Sequence, residues 1–388
     1  LGLAAAQAQV WTLQECIDKA QLKNKDLQIS SNGIALGKEK EEEAKARLLP
    51  KLTANASYKY FASLPYQLLP VSVLNPAAPE GTYKAAQFGV PHNISASLQA
   101  TMPLYSPKAY GAIQTTQLGT ELAELRYQKT EEEVYFQVSN LYYNAQVLYH
   151  QRAFIDSNLV NAERLLENVK LLREQLLAKK TDVGKAELQV AQLLTKRKRV
   201  DSQYEQVLHT LKFAIGIPLD QELEIDPQIQ EASSEEYGDS PTLDTRLAEA
   251  KGRLLESELN TLRRSGYLPT VALVASYGTT GFGYGGEPNS FLDFYPVGFA
   301  GLQVSYPIFD GTVTRRKLQQ KRIELQNSDL QVKRFQEKGA MQAMNARLRR
   351  GVAQSAMQTT QEQIALAKSI YQQTLMQQKQ GTADLAEA

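Results

Sequence analysis

The chain contains one sequence pattern twice, and each copy predicts a pair of β-strands. Residues 49–58 read LPKLTANASY and residues 268–277 read LPTVALVASY. Residues 98–106 read LQATMPLYS and residues 302–310 read LQVSYPIFD. Prolines lie just before the first strand and at the end of the second strand of each copy, where a missing N–H does not interrupt a ladder. The fold must therefore accommodate four strands in two widely separated pairs.

The predicted strands are amphipathic. Their bounds are about 50–62, 91–103, 269–281 and 297–308. On the second strand, Ile94, Ala96, Leu98, Ala100 and Met102 alternate with Asn93, Ser95, Ser97, Gln99 and Thr101. On the fourth strand, the apolar side carries Ala300, Leu302, Val304 and Tyr306. A period of two predicts one apolar and one polar face.

Heptad repeats predict a long helical hairpin after the first strand pair. The first helix carries Val134, Val138, Leu141, Ala145, Leu148, Arg152, Ile155, Leu159, Ala162, Leu166, Val169, Arg173 and Leu176 at spacings of four and three. The second carries Val183, Ala186, Val190, Leu193, Arg197, Val200, Tyr204, Val207, Leu211 and Ala214. This spacing is typical of a coiled-coil seam, and the short link makes the helices antiparallel. We expect each arginine in the seam to reach solvent or to meet an acid on a neighbouring helix.

Charge and composition exclude several functions. The net charge is +1, which favours neither nucleic-acid binding nor an anionic membrane surface. The three histidines lie far apart, and no phosphate-binding loop, metal cluster or activated nucleophile is evident, so we expect no cofactor, no metal and no catalysis. Cys16 is interpreted as a packing residue. Lipidation, the alternative, requires small residues before the cysteine, and Gln14 and Glu15 are not small.

The order of segments predicts two repeats joined by a linker. Residues 1–9 end in an A-x-A pattern and are interpreted as the remnant of a signal peptide. Repeat 1 covers residues 10–217, an acidic linker covers 218–241, and repeat 2 covers 242–388 and is expected to be truncated at its C-terminus. No run of apolar residues is long enough for a membrane-spanning helix, so any membrane contact is expected through the strands.

Aromatic residues gather near the strand ends. Those singled out are Tyr58, Tyr60, Phe61, Tyr66, Tyr105, Tyr277, Phe282, Tyr284, Tyr295, Tyr306 and Phe309. Aromatic girdles of this kind are typical of outer-membrane strands at the two bilayer interfaces. Aromatic core packing is the alternative interpretation.

The duplicated order of helix, strand pair and long helical hairpin resembles the TolC-like outer membrane efflux proteins. The motifs that carry the resemblance are WTLQECIDKA at 11–20, LAKKTDVGKAELQV at 177–190 and IGIPL at 215–219, together with the paired LP strands. The resemblance implies an α+β membrane protein with an internal two-fold repeat. It also implies a homotrimer in which each chain gives four strands to a twelve-stranded transmembrane β-barrel, continued by an α-helical barrel into the periplasm.

The function that the resemblance implies is that of a passive channel in the bacterial outer membrane. Its expected partners are outer-membrane lipid, a periplasmic adaptor and an inner-membrane pump of the resistance-nodulation-division or ABC type, which hands over small molecules or proteins. The alternatives are a periplasmic coiled-coil adaptor or scaffold, and a secreted enzyme. Adaptors have one helical hairpin framed by a small β domain, whereas this chain alternates hairpins and strand pairs.

The resemblance also implies three groups of functional residues. The expected lipid-facing residues are Ile94, Leu98, Met102, Leu302, Val304 and Tyr306. The expected adaptor-contacting residues at the helical tips are Lys179, Lys180, Thr181, Gly381, Thr382 and Ala383. Asp182 and Glu387 are expected to ring the periplasmic entrance, or alternatively to cap the helices that follow the tips. The tip of the first repeat departs from the family pattern, because Leu176 stands where a glycine is expected.

Overall fold

The structure is a computed structural model that describes residues 10–73, 77, 79, 81–87, 89–229, 241–283 and 293–379. The predicted signal-peptide remnant, Gly381, Thr382, Ala383 and Glu387 lie outside the described residues. The chain divides into two compact units. The first comprises Leu1–Ser233 with Ala250–Leu325, and the second comprises Ser234–Glu249 with Gln326–Ala388.

Helices account for most of the described chain, and two of them are very long. Their bounds are α1 Leu13–Lys23, α2 Lys25–Ala46, α3 Pro107–Glu174, α4 Lys180–Ile215, α5 Leu243–Tyr267 and α6 Val313–Lys379. At 1.5 Å per residue, the 68 residues of α3 extend for roughly 100 Å. Within the described residues, no helix combines the length and the apolar character needed to cross a bilayer.

The main sheet contains the four strands that the duplicated pattern predicts. The strand bounds are β1 Val10–Trp11, β2 Lys51–Tyr60, β3 Tyr66–Pro70, β4 Tyr83–Gln87, β5 His92–Tyr105, β6 Glu224–Ile225, β7 Thr270–Gly283 and β8 Asp293–Ser305. The main sheet has the order β2-β5-β7-β8, and every neighbouring pair in it is antiparallel. The strand pair from each half of the sequence therefore joins one continuous sheet.

Two short sheets were not predicted from the sequence. Strands β3 and β4 form an antiparallel hairpin within residues 64–90, between the first two predicted strands. Strands β1 and β6 form a parallel pair, so the first part of the predicted acidic linker belongs to the core. Leu223 and Ile225 are buried although acidic residues surround them in sequence.

The largest core lies where α1 packs against the α3–α4 hairpin and the β1–β6 pair. Its buried members include Cys16, Val138, Leu211 and Ile215, each at 0% exposure. The predicted interpretation of Cys16 as a packing residue agrees with this position. Burial raises the pKa of the Cys16 thiol to about 12, with a smaller contribution from the neighbouring Glu15 charge.

The junction between α1 and α2 anchors the end of α4. The side chain of Asn24 caps α2 by accepting hydrogen bonds from the N–H groups of Asp26 and Leu27. Its Nδ2 donates to the carbonyl oxygen of Ala214 at 2.7 Å, a buried bond that joins positions 190 residues apart. Gly216 then ends α4 in the left-handed conformation, with φ 73°.

The α3–α4 hairpin has the predicted antiparallel seam. Members buried on α3 include Val134, Val138, Ala145, Leu148, Ile155 and Ala162, and those on α4 include Val183, Ala186, Val200, Leu211 and Ala214. Arg152 Nε lies 3.0 Å from Asp201 Oδ1, and Arg197 Nε lies 2.6 Å from Asp156 Oδ1. Both arginines thus meet an acid on the facing helix, and Arg173 is exposed. Because these pairs are partly exposed, each contributes at most about 1 kcal/mol.

The second unit brings the start of α5 against α6. The hydroxyl oxygen of Thr242 accepts a hydrogen bond from the Thr245 N–H at 3.3 Å and so caps the helix. A Cβ at Gly339 would lie 3.1 Å from the Thr242 methyl carbon. The absence of a side chain at position 339 therefore allows this close approach.

Candidate functional site

One face of the main sheet is apolar across all four strands. Direct cross-strand partners share a face, and the register aligns Met102, Leu273 and Leu302 in one row. A second row contains Leu98 and Tyr277. The exposed fractions of Leu98 and Leu302 are 52% and 67%, so this apolar face is uncovered.

The structure brings most of the predicted lipid-facing residues onto this face. Ile94, Leu98 and Met102 lie on β5, and Leu302 and Val304 lie on β8. Tyr306 follows the last residue of β8 and is 57% exposed. Two aromatic rings cover glycines here: a Cβ at Gly298 would lie 2.8 Å from the Tyr277 ring, and one at Gly281 would lie 2.7 Å from the Phe294 ring.

The opposite face is polar on β2 and β5. The two strands contribute Lys51, Thr53, Asn55, Ser57 and Lys59, paired with Thr101, Gln99, Ser97, Ser95 and Asn93. The Ser57 and Ser95 hydroxyl oxygens lie 2.8 Å apart in a hydrogen bond between the strands. These two strands therefore follow the predicted alternation on both faces.

Strand β8 departs from the alternation because both of its faces are apolar. Tyr295, Val297 and Phe299 lie on the polar face, opposite Thr280, Gly278 and Ser276 of β7. Their exposed fractions are 54%, 57% and 60%. We call Tyr295, Val297, Phe299 and Phe282 the aromatic stripe. The Phe282 and Tyr295 rings lie 6.0 Å apart between centroids.

The aromatic stripe corrects the interpretation of two girdle residues. Phe282 and Tyr295 were expected among aromatics that contact the bilayer interface, but the register places both on the polar face. Sequence reasoning also missed Val297 and Phe299, because it followed only the side of β8 that carries Leu302. The continuous apolar run over residues 294–302 was the signal available in the sequence.

The two outer strands of the main sheet each have one unpaired edge. The order β2-β5-β7-β8 leaves β2 and β8 with a partner strand on one side only within the described residues. Strand β2 has ten residues and β8 has thirteen. Exposed edges of this length present rows of unpaired N–H and C=O groups that can pair with another chain.

The tip of the helical hairpin begins with a leucine in a conformation that favours glycine. Leu176 has φ 64° and is 93% exposed, and the following Leu177 is 73% exposed. The Leu177 N–H donates to the Leu172 carbonyl at 2.8 Å, and the Leu176 N–H donates to the Arg173 carbonyl at 2.9 Å. This is the Schellman arrangement that ends helices, and without glycine the left-handed residue costs about 1–2 kcal/mol.

Asp182 caps the helix that follows the tip. Its Oδ2 accepts a hydrogen bond from the Lys179 N–H at 3.0 Å, at the positive end of the α4 dipole. Lys179, Lys180 and Thr181 are exposed beside it. The predicted cap is therefore present at Asp182. The partner acid in the prediction, Glu387, lies outside the described residues.

Polar side chains in the core beside the hairpin donate hydrogen bonds to backbone carbonyls. The Tyr142 hydroxyl donates to the Trp11 carbonyl at 3.0 Å, and burial, followed by the Cys16 charge, raises the pKa of Tyr142 to about 12. Gln146 Nε2 donates to the carbonyls of Asp226 and Gln228 at 2.7 and 2.9 Å. In the described part of the chain, no group of His, Cys, Asp and Glu side chains is arranged to hold a metal ion.

Comparison with solved structures identifies the fold. The chain superposes on CusC with a TM-score of 0.75 at 15% identity, covering 99% of this chain and 87% of CusC. It superposes on the outer membrane protein VceC of Vibrio cholerae with a TM-score of 0.72 at 14% identity, covering 97% and 87% of the two chains. For the open state of the MtrE outer membrane channel of Neisseria gonorrhoeae, the TM-score is 0.71 at 16% identity, with coverage of 97% and 81%.

The comparisons of sequence gave no match. No protein-family model matches the chain, and no curated protein matches it. The resemblance to TolC-like proteins that the duplicated order predicted is confirmed by the solved structures at the level of the fold. The chain has the fold of the outer-membrane channels to which it is similar.

Proposed function

We propose that this protein is the outer-membrane channel of a tripartite efflux or secretion system and that it conducts passively. The observation that carries the proposal is the four-stranded sheet with one uncovered apolar face and one largely polar face. A sheet of this kind matches a bilayer on one side and a water-filled lumen on the other. The similar structures include CusC, for which conformational changes accompany folding and transmembrane channel formation.

The unpaired edges support the proposal of a trimer. A bilayer offers no hydrogen-bond partners, so strands that span it must form a closed barrel. Pairing β8 of one copy with β2 of the next satisfies both edges, and three copies of four strands give the twelve-stranded barrel of the proposal. The helices of the three copies would then form the periplasmic α-barrel, in line with the roughly 100 Å length of α3.

The helical tips are the proposed contact for a periplasmic adaptor. The tip of the described hairpin exposes Leu176 and Leu177 next to Lys179, Lys180 and Thr181. The strained turn and its exposed leucines destabilise the chain when it has no partner. Exposed apolar residues of this kind are typical of a surface that a partner covers. The proposal also assigns adaptor contact to Gly381, Thr382 and Ala383, which lie outside the described residues. The adaptor connects the channel to a pump of the resistance-nodulation-division or ABC type.

The acids after the tips are proposed to set the ion preference of the periplasmic entrance. Three copies of Asp182 and Glu387 would bring six carboxylates towards one axis, where they attract cations. The observed cap between Asp182 and Lys179 is compatible with this role, because one carboxylate oxygen accepts the Lys179 N–H and the other remains available.

Reconstitution of the protein in planar bilayers tests the proposal. We expect stepwise conductance increases from trimers, and three-fold rings in electron micrographs of the detergent-extracted protein. A monomeric protein that stays in the aqueous phase without detergent and never conducts would contradict the channel. That result would favour the alternative function, a periplasmic coiled-coil adaptor or scaffold protein.

A further inference from the structure

We infer that the aromatic stripe, which lies on the polar face of the main sheet along β8 and the end of β7, forms with the lysines of β2 a cargo-contact surface for amphiphilic organic anions that carry an aromatic body. The inference rests on the proposed channel, because it places the polar face in the lumen and β8 beside β2 of a neighbouring copy. It adds to that proposal a class of cargo and a location for its contact.

The register, and not the sequence pattern, assigns the stripe to the polar face. Phe299 pairs with Ser276, which pairs with Gln99, so the three side chains share one face. Leu302 pairs with Leu273 and belongs to the other face. A one-residue slip would exchange the faces of β8 and would move Leu302 and Val304 onto the polar face.

Folding of the sheet does not require aromatic residues at these positions. When Leu98 of β5 is aligned with Leu302 of β8, Ser95 corresponds to Phe299 and Asn93 corresponds to Val297. Strand β5 therefore forms the same kind of ladder with small polar residues where β8 has large apolar ones. Water-exposed apolar groups without a structural role are characteristic of a surface that contacts a ligand.

Neither lipid nor a neighbouring copy covers the stripe in the proposed barrel. Lipid lies on the face of Leu302, and a neighbouring strand pairs with the edge of β8 through its backbone, which leaves both faces open. Side chains fill the interior of barrels with about eight strands, and a barrel of twelve strands is wider. The described residues leave Tyr295, Val297 and Phe299 exposed by 54%, 57% and 60%, so the contact that we infer for the stripe is a solute inside the lumen.

The shape of the stripe suits a planar apolar group. Tyr295 and Phe299 lie four residues apart on one strand, so their Cα atoms are separated by about 13 Å. Between them lies Val297, and its partner across the ladder is Gly278, which has no side chain. The rings of Tyr295 and Phe299 therefore lie on either side of a shallow part of the sheet surface. An aromatic body bound there can stack on the rings or contact their edges.

The positive charges of two lysines on the polar face favour cargo molecules that are anions. Lys51 and Lys59 lie on this face of β2, and both are exposed. The described residues of β2, β5 and β7 contribute no Asp or Glu to it; the only acid is Asp293, at the start of β8. Closure of the barrel brings β2 of one copy beside β8 of another, so a carboxylate or sulfonate can meet a lysine while its ring contacts the stripe.

The test is single-channel current block by 2-naphthalenesulfonate. We expect this probe to interrupt the current with a measurable dwell time, whereas methanesulfonate, which has no ring, and 2-naphthol, which has no charge, interrupt it more briefly or not at all. Phe299→Ser copies the residue that β5 carries at the aligned position, and we expect it to shorten the dwell time about tenfold. Lys59→Gln should slow the association of the anion, with a smaller effect at high salt.

The matched control is Gln303→Ser, on the same face of the same strand beyond the stripe. It should leave block by 2-naphthalenesulfonate unchanged. Unaltered unitary conductance shows that each variant has assembled, and Phe299→Gln replaces Phe299→Ser if the latter does not insert. Channels that conduct normally but show the same dwell time with Phe299→Ser or Phe299→Gln as with wild type overturn this inference alone. A wild-type protein that never conducts overturns both the inference and the proposed channel.

Discussion

Gly216 occupies a position where a single methyl group should separate the end of α4 from the α1–α2 junction. Its φ is 73°, and a Cβ there would lie 2.5 Å from the carbonyl oxygen of Lys23 and 2.7 Å from the carbonyl carbon. Both atoms belong to the backbone, so no side chain can rotate to relieve the contact. Gly216→Ala must therefore displace the junction by several tenths of an ångström or more.

The expected cost of Gly216→Ala combines two effects. An alanine in the left-handed conformation costs about 1–2 kcal/mol. Displacement of the junction weakens the buried hydrogen bond from Asn24 to the Ala214 carbonyl, which adds about 1 kcal/mol or more. We expect a total loss of about 2–4 kcal/mol and, for a chain of 388 residues, a fall of roughly 2–5 °C in the unfolding midpoint.

The assay is thermal unfolding in detergent, followed by circular dichroism, with amide hydrogen exchange on residues 20–28 and 208–219 as a local readout. Gly184→Ala is the matched control in the same helix, because a Cβ there meets nothing within 4 Å. It should stabilise α4 by up to about 1 kcal/mol through helix propensity. Two results together would contradict the close approach of position 216 to the Lys23 carbonyl: the same unfolding midpoint for Gly216→Ala and Gly184→Ala, and wild-type protection of the Asn24 amide from hydrogen exchange in Gly216→Ala.

Three further predictions address the sheet, the tip and the core. Leu98→Arg should lower trimer recovery from membranes, at a cost of about 2–4 kcal/mol near the bilayer midplane; Gln99→Arg should be much milder, and equal losses would contradict the assigned faces. Asp182→Asn combined with Glu387→Gln should weaken cation selectivity and divalent-cation block, and unchanged selectivity would leave Asp182 as a helix cap only. Cys16 should resist thiol reagents at pH 8 in the folded protein and react on unfolding. The pKa of Cys16 is about 12 in the folded protein and exceeds the reference value of 9.0. The contribution of the protonated thiol to stability should therefore be complete below pH 9 and lost between about pH 9 and 12. Rapid labelling without unfolding would contradict its burial.

Periodic segments were predictable because their pattern is repeated many times. The heptads from Val134 to Ala214 predicted most of the side chains that the α3–α4 seam buries, although Leu176, a predicted member, is 93% exposed beyond the end of α3. The alternation around Leu98 predicted the apolar face of β5. Each of these signals extends over many residues, so one exception such as Arg152 does not obscure it.

Short or local features were not predictable in the same way. A two-residue strand such as β1 has no period, and its partner β6 lies in an acidic segment that resembles a linker. The left-handed Leu176 contradicts residue preference, so only the backbone reveals the tip turn. The position of Phe299 depends on cross-strand register, because its own strand is apolar on both faces.

The parallel pair of β1 with β6 has a consequence for the order of folding. Val10 and Trp11 are among the first described residues to be synthesised, yet they pair with Glu224 and Ile225, which follow about 200 residues later. Likewise, Asn24 can donate its buried hydrogen bond to the Ala214 carbonyl only after residue 214 has been synthesised. The chain must close a long loop before such distant residues can pair, and the loss of chain entropy in that step makes the pairing slow. During export, the amphipathic α1 must therefore remain without its final partners until α4 arrives, and this interval is when the chain is most exposed to proteases and to aggregation.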